Sequence, residues 1–153
     1  MLPLPHQYTV SLAAVASGYA AVSSPGLPPL RLAAPATFDG PGDAWSPEHL
    51  LLAAVQGCFL LTLRAVAAAS KHPFLSVTVD TSGTADRNYG RTRFTEIVVC
   101  PLVTFPAGTR METARGIIEK AEQNCLISAS LSTPVRIDAR IVVEQRASEA
   151  VAS

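Results

Sequence analysis

The sequence predicts an α+β fold in which antiparallel sheets surround one long central helix. A segment from Pro47 to about Ser70 contains no helix breaker and is apolar on nearly every face, which is typical of a buried helix. Predicted strands lie on both sides of it in the chain, and those that follow it have apolar residues at every second position. The resulting order, β-β-β-α-β-β-α-β, differs from the regular alternation of strand and helix that builds a parallel sheet.

The N-terminal part, from Tyr8 to Leu32, predicts two or three short strands. Its residues are small and tolerate strand conformation, and turn signals at Ser17-Gly18 and at residues 23–26 interrupt them. We expect a hairpin followed by a return strand.

The central helix has a well-specified start. Ser46 supplies the N-cap, Pro47 occupies the first helical position, and Glu48 places an acid in the first turn. At about 1.5 Å per residue, a helix of this length spans on the order of 35 Å, the width of a small domain. We expect it in the middle of the core, with Cys58 deep inside.

Two strands follow the central helix. Alternation at period two predicts strands over Leu75–Asp80 and Arg93–Phe105, and the second strand is apolar on both faces. The polar, glycine-containing residues 81–90 between them predict a hairpin connection.

A second helix and a last strand complete the predicted fold. The helix starts at Thr109 with Glu112 three residues later, the spacing of a capping box, and ends near Cys125. Residues 134–144 alternate between apolar and charged side chains, which indicates one half-exposed strand.

Composition favours one domain over residues 1–153. A chain of 153 residues that is 48% hydrophobic and 16% charged encloses one core and is too short for two ordinary domains. The 12 basic and 12 acidic residues balance, which argues against nucleic acid or an anionic membrane surface as a partner. Low charge with abundant apolar residues also favours a homodimer.

The cysteines and the N-terminus predict a cytoplasmic protein without metal or cofactor. Cys58, Cys100 and Cys125 are widely spaced with no CxxC pair, and the histidines lack metal-ligand spacing. Residues 1–8 contain prolines where a signal helix would form. The longest apolar run, Leu50–Leu63, is shorter than the roughly 18 residues that indicate a membrane span.

Three local motifs resemble the OsmC/Ohr family of cysteine-based peroxidases. They are Ser46-Pro-Glu-His-Leu50, Gly57-Cys58-Phe59 and Gln123-Asn-Cys125-Leu-Ile-Ser128. Family members carry Asn-Pro-Glu-Glu/Gln-Leu, Ala-Cys-Phe and Cys-Pro-Val/Tyr-Ser at matching spacing. The resemblance extends over roughly residues 18 to 143 of this chain.

This resemblance implies a peroxidase mechanism with Cys58, Cys125 and Glu48 as the catalytic residues. The first cysteine of the family attacks an organic hydroperoxide, the second resolves the sulfenic acid into a disulfide, and lipoyl-type dithiols reduce it. The family fold is an intertwined α+β homodimer with two active sites at its interface. The resemblance also implies an antioxidant role in the oxidative stress response. Cys100 has no partner motif and is assigned to packing.

The residues alone leave other roles open. A lone cysteine on an apolar helix is most often a small hydrophobic core residue, and this is the alternative role of Cys58. The alternative role of Cys125 is that of a core residue at the end of a helix. Glu48 lies about 15 Å from Cys58 by helical rise, so it would serve the thiol of a partner chain. Alternatively, it stabilises the helix N-terminus by less than about 1 kcal/mol.

The sequence also departs from the family pattern. The family's activating arginine, which pairs with the glutamate of the Pro-Glu motif, would fall near Ser17 or at Thr37, and neither residue is basic. Arg31 is the only basic residue between His6 and His49, and Leu126 replaces the proline after the second cysteine. The alternative function is therefore an OsmC-fold redox sensor or binder of a small apolar ligand with little peroxidase turnover.

Overall fold

A computed structural model describes residues 3–145, which separate into two compact units. The first unit extends to Leu51 and the second begins at Leu52. The single domain over residues 1–153 remains a prediction, and its ends, residues 1–2 and 146–153, lie outside the described residues.

The first unit contains the predicted hairpin and return strand. Strands β1 (Ser11–Ala14), β2 (Ala20–Ser23) and β3 (Leu30–Leu32) form an antiparallel sheet in the order β1-β2-β3. Gly18 and Gly26 have φ angles of 92° and 77° in the two connections, a conformation that glycine adopts without steric cost. The turn signals in the sequence are therefore confirmed.

A 3-10 turn at Ala36–Phe38 leads toward the central helix. The backbone N–H of Gly40 donates to the carbonyl oxygen of Pro35 at 3.0 Å, which folds the chain tightly back on itself. A Cβ atom on Gly40 would overlap the carbonyl group of Ala34. Only glycine fits this close approach of two backbone segments.

Helix α1 (Pro47–Ala69) starts where the sequence predicts. The backbone N–H of His49 donates to Ser46 Oγ at 3.3 Å, and the N–H of Leu50 donates to the Ser46 carbonyl at 3.0 Å. Ser46 is fully buried, so its hydroxyl satisfies a helix-start N–H that has no intrahelical partner. The N-cap prediction is confirmed.

Burial of α1 within the chain is confined to one stripe. Val55, Phe59, Leu63 and Ala67, spaced four residues apart, are each at most 3% exposed. Leu61, by contrast, is 62% exposed. The helix thus occupies the core along one face and leaves other apolar faces uncovered by its own chain.

The length of α1 bears on the prediction that the chain contains no membrane span. Its 23 residues are long and apolar enough to cross a bilayer by length and composition alone, although core helices of soluble proteins pass the same test. The short apolar run in the sequence is therefore no ground for excluding a span. The expected absence of a membrane partner stays a prediction.

The second unit is built on a long hairpin. Strands β4 (Ser76–Asn88) and β5 (Arg91–Phe105) pair antiparallel, with a bulge between Thr84 and Ala85. The predicted connection over residues 81–90 is wrong, because residues 81–88 continue the strand and only Tyr89-Gly90 turn, both with positive φ. The side chains described at residues 82–87 are mostly exposed, so this ribbon lacks the apolar alternation that marks a strand in sequence.

Strand β5 supplies the buried face of its sheet, as the alternation predicts. Its fully or nearly fully buried residues are Ile97, Val99, Pro101, Val103 and Phe105. The residues between them are half-buried or exposed. One face of β5 therefore belongs to the core of the second unit.

Helix α2 (Met111–Gln123) starts two residues later than the capping box predicts. Its N-cap is Arg110 and no side chain caps it, because Thr109 instead donates its backbone N–H to Pro106 in the preceding turn. The capping box at Thr109 is thus a wrong prediction, whereas the helix end near Cys125 is confirmed. A short helix that the sequence did not predict, α3 (Leu126–Ala129), follows.

The last predicted strand is two strands. Strands β6 (Val135–Ile137) and β7 (Arg140–Val143) both pair parallel to β5, which corrects the purely antiparallel arrangement expected for the sheets. The backbone N–H of Asp138 donates to Val99 between them, and the two strands pair with successive parts of β5. The helical crossover through α2 and α3 brings the chain back in the same direction, which parallel pairing requires. The mixed α+β class is confirmed.

Two glycine substitutions test the space around the backbone at Gly40 and in helix α2. We expect Gly40→Ala to lower the free energy of unfolding by about 1–3 kcal/mol, because the new methyl group overlaps backbone atoms. Gly116→Ala in α2, where a Cβ meets no atom within 4 Å, should raise it by about 0.5–1 kcal/mol. Urea unfolding of both variants measures the two effects, and a neutral Gly40→Ala would contradict the close backbone approach.

Candidate active site

The structure brings Cys58 together with the segment that follows Cys125. The backbone N–H of Ile127 donates to Cys58 Sγ at 3.5 Å, across 69 positions of sequence. Cys58 is half-buried on α1, next to the buried Phe59. The two motifs that carry the thiols therefore lie side by side within the second unit.

Cys125 is held at the junction of α2 and α3. It is 2% exposed, and its backbone N–H donates to the carbonyl oxygen of Glu122 at 3.1 Å. The hydroxyl of Ser128 donates to Cys125 Sγ at 3.2 Å. Cys58, Cys100 and Cys125 form no disulfide with one another in the described structure.

Sequence reasoning assigned no role to Ile127 or Ser128. Ile127 contributes a backbone N–H, which leaves no mark in the choice of side chain. Ser128 belongs to the motif around Cys125, and its position three residues after the cysteine was a usable signal. The short helix α3 positions both donors, because its single turn places residues 127 and 128 beside the two sulfur atoms.

Glu48 occupies the first turn of α1 in the first unit, where one of its oxygens is unsatisfied. Its Oε2 atom is buried and has no hydrogen-bond partner among residues 3–145. The side chain lines a cavity of about 370 Å³ whose other walls include Leu32, Phe38 and Pro47. Burying a polar oxygen without a hydrogen-bond partner costs free energy.

Arg31 forms a separate cluster in the first unit. Its Nη2 atom donates to the backbone carbonyl of Asp43 at 2.7 Å and to the Asp43 carboxylate at 3.2 Å. The guanidinium lies 4.4 Å from the centre of the Tyr19 ring. Arg31 thus pairs with Asp43 and forms no ion pair with Glu48. The described residues near Ser17 and Thr37 supply no other cation to Glu48.

Tyr19 completes this cluster. Its hydroxyl donates to both carboxylate oxygens of Asp43, at 2.9 and 3.0 Å. This hydrogen bond raises the pKa of Tyr19 above 10.0, and desolvation and the negative charge of Asp43 act in the same direction. The positive charge of Arg31 partly opposes them.

Cys100 lies apart from the thiol pair. It is half-buried on β5 and lines a cavity of about 400 Å³ together with Asp80, Leu102, Asp138 and Arg140. None of these residues belongs to the segments around Cys58 and Cys125. Its assignment to packing remains a prediction. Within residues 3–145, no group of three or more His, Cys, Asp or Glu side chains could hold a metal ion.

Comparison with known proteins identifies the family. The model of the OsmC-like protein family matches residues 40–140, which include all three motifs of the thiol site. The chain therefore belongs to the OsmC-like family.

Individual relatives are distant. The uncharacterized protein YmaD of Bacillus subtilis is 26% identical over 106 residues, covering 67% of this chain and 71% of YmaD. An OsmC-like protein of unknown function from Vibrio cholerae has a TM-score of 0.82 at 19% identity, covering 89% of this chain and 100% of that structure. An organic hydroperoxide resistance protein from Elizabethkingia anophelis has a TM-score of 0.72 at 22% identity, with coverages of 92% and 100%. These solved structures share the fold of this chain.

The Tyr19 cluster predicts opposite shifts for two substitutions. Asp43→Asn removes a carboxylate that favours the protonated phenol, so the pKa of Tyr19 should fall toward 10.0. Arg31→Ala removes the opposing positive charge and should raise it further. Tyrosinate absorbance against pH, in a background with Tyr8 and Tyr89 replaced by Phe, measures both.

The raised pKa of Tyr19 also determines how the stability of the protein depends on pH. Because folding raises the pKa of Tyr19, its contribution to stability is complete below the unfolded value of about 10 and is lost as the pH rises through the folded value. Asp43→Asn should remove this alkaline dependence. An unchanged Tyr19 titration in both variants would contradict the cluster as described.

Proposed function

We propose that this protein is a thiol-dependent peroxidase that reduces organic hydroperoxides through Cys58 and Cys125. The observation that carries the proposal is the hydrogen bond from Ile127 N–H to Cys58 Sγ, which joins the two thiol segments. Membership of the OsmC-like family supports it.

The proposed reaction has three steps. The Cys58 thiolate attacks the distal oxygen of ROOH, so that an S–O bond forms, the O–O bond breaks, and the alkoxide takes a proton to leave as ROH. The Cys125 thiolate then attacks the sulfur of the Cys58 sulfenic acid, and water leaves as the disulfide forms. A dithiol reductant, of the lipoyl type that the family resemblance implies, reopens the disulfide by thiol exchange.

The nucleophile in this mechanism must be the thiolate of Cys58. The donor that the structure supplies to Cys58 is the Ile127 N–H, which stabilises an anion on the sulfur more than it stabilises a neutral thiol. We assign Glu48 to the active site as well, because its unsatisfied Oε2 favours pairing with a donor of a second chain. The helix-dipole role of Glu48 remains compatible with its place in the first turn of α1.

The surroundings of Cys58 favour apolar peroxides as substrates. The thiol lies on a helix whose nearby residues include the half-buried Leu60 and the buried Phe59. An apolar pocket at this thiol would bind alkyl or fatty-acyl chains better than it binds hydrogen peroxide. A cytoplasmic location, where free thiols persist, belongs to the same proposal.

A homodimer is the assembly that we propose. Leu61 on α1 is 62% exposed, and Val10, Leu12 and Val15 near β1 are at least 60% exposed. A soluble protein seldom leaves this much apolar side-chain surface to water, and a second copy is the commonest cover.

One observation favours a second candidate function. With no cation at Ser17 or Thr37, and none paired with Glu48 among the described residues, the thiol lacks the charge that activates it in the family. A redox sensor, or a binder of a small apolar ligand, would retain the thiol pair without fast turnover. Steady consumption of an alkyl hydroperoxide with a lipoyl dithiol distinguishes the peroxidase from these alternatives.

Cysteine substitutions test the proposed roles. We expect Cys58→Ser to abolish hydroperoxide consumption, because no nucleophile remains. Cys125→Ser should complete one turnover and accumulate a sulfenic acid on Cys58, which a dimedone-type reagent traps and mass spectrometry detects. Cys100→Ser, whose thiol lies outside the site, is the control and should turn over like the unmodified protein. If Cys125→Ser also cycled at the normal rate, Cys125 would have no resolving role.

The dimer has its own test. Light scattering at micromolar concentration should give a mass twice the 16.1 kDa of the chain. Leu61→Glu should reduce this mass to that of a monomer, because it places a charge on the uncovered face of α1. Arg115→Ala changes an exposed residue of helix α2 and should leave the mass unchanged. A monomer mass for the unmodified protein would reject the dimer.

A further inference from the structure

The single turn of α3 supplies one hydrogen-bond donor to each sulfur of the thiol pair. Ile127 N–H donates to Cys58 Sγ at 3.5 Å, and the Ser128 hydroxyl donates to Cys125 Sγ at 3.2 Å. We propose that Ser128 controls the resolving step, by stabilising the thiolate of Cys125 that attacks Cys58. This inference rests on the proposed function, since it concerns the second step of that reaction.

Cys125 requires such a donor because of its surroundings. It is 2% exposed, and a buried polar or charged atom needs a hydrogen-bond partner. Its immediate charged neighbours in the sequence, Lys120 and Glu122 on α2, are exposed. Within residues 3–145, no charged side chain forms a hydrogen bond with either sulfur, and the charged residues of α1 and β5 form none with Cys125. The Ser128 hydroxyl is the side-chain donor that the described structure gives to this thiol.

Ser130, the next serine in the chain, makes a different contact from that of Ser128. Ser130 lies in the same segment, but its hydroxyl donates to the carbonyl oxygen of Leu126 at 2.8 Å, as serine side chains near a helix end commonly do. Ser128 directs its hydroxyl to sulfur instead. The two serines therefore provide a matched pair of variants, one with a sulfur contact and one without.

The hydroxyl is expected to act on the ionised state. A hydrogen bond to an anion is roughly twice as strong as one to a neutral acceptor, so the O–H of Ser128 favours the thiolate over the thiol. In the resolving step this thiolate gives its electron pair to the Cys58 sulfur, the S–S bond forms, and the hydroxide of the sulfenic acid leaves with a proton as water. No further oxidant enters, because the oxidising equivalent is already on Cys58.

A mixed disulfide on Cys58 isolates this step from peroxide chemistry. In a Cys100→Ser background, an aromatic disulfide reagent first modifies the more exposed Cys58. Cys125 then attacks the mixed disulfide, forms the Cys58–Cys125 bond and releases the coloured aromatic thiolate. The rate of this release, followed by absorbance across a range of pH, reports on Cys125 as an internal nucleophile.

We expect Ser128→Ala to slow the release by roughly three- to tenfold near neutral pH, because a smaller fraction of Cys125 is ionised. The difference should shrink or reverse as the pH rises, because hydroxide then removes the thiol proton and a more basic thiolate is the better nucleophile. Ser128→Thr keeps the hydroxyl and should restore the rate. Ser130→Ala should match the unmodified protein.

Each outcome decides the proposal. Equal release from Ser128→Ala and the unmodified protein at every pH would overturn it, and so would a deficit that persists unchanged at high pH, which indicates a structural effect alone. Absence of release from the unmodified protein would overturn both this inference and the disulfide step. Normal release with the expected pH dependence, but no oxidation of the thiols by an alkyl hydroperoxide, would support the role of Ser128 and reject the peroxidase.

Discussion

The apolar helix α1 is the constraint on which the rest of the structure depends. Burial of Val55, Phe59 and Leu63 along one stripe contributes about 1.5–3 kcal/mol per side chain, which fixes the helix in the second unit. Cys58 lies between two residues of that stripe, so its half-buried position follows from the packing of its neighbours. The same constraint leaves other apolar faces of the helix uncovered, and a second copy of the chain is the cover that we propose.

The activation of Cys58 differs in kind from that implied by the family resemblance. An arginine brings a full positive charge, whereas the Ile127 N–H contributes one hydrogen bond at a distance that is long even for sulfur. A hydrogen bond to a charged group contributes about 1.5–3 kcal/mol, which is a useful part of the stabilisation of an anion and less than a close charge with several donors supplies. The contact from Ile127 is therefore a weaker source of stabilisation for an anion than the arginine that the family resemblance implies.

The start of the central helix was predictable from the sequence, whereas the extent of β4 and the pairing of the last two strands were not. The start of α1 depends on Ser46-Pro47-Glu48, three adjacent residues, and the structure reproduces it. Residues 81–88 form a strand only because β5 pairs with them, and no pattern in the segment itself records that partner. The division of residues 134–144 likewise follows from where each half meets β5.

The candidate active site was likewise predictable from the sequence only in part. The motifs identified Cys58, Cys125 and Glu48 as candidate site residues, yet the donor to Cys58 is a backbone N–H that every residue except proline would provide at position 127. The side chain of Ser128 was visible in the sequence, but only the turn of α3 shows that its hydroxyl reaches sulfur and that of Ser130 does not.

Glu48 connects assembly and chemistry. Leaving a buried carboxylate oxygen without a donor costs free energy that a folded chain seldom tolerates unless a partner compensates. A donor from a second chain would remove this cost and would bring a charged or polar group into the proposed site at the same time. In the proposed dimer, the interactions that cover α1 and those that satisfy Glu48 would therefore form together. In that proposed dimer, the reactivity of the thiols would depend on the association of the two chains.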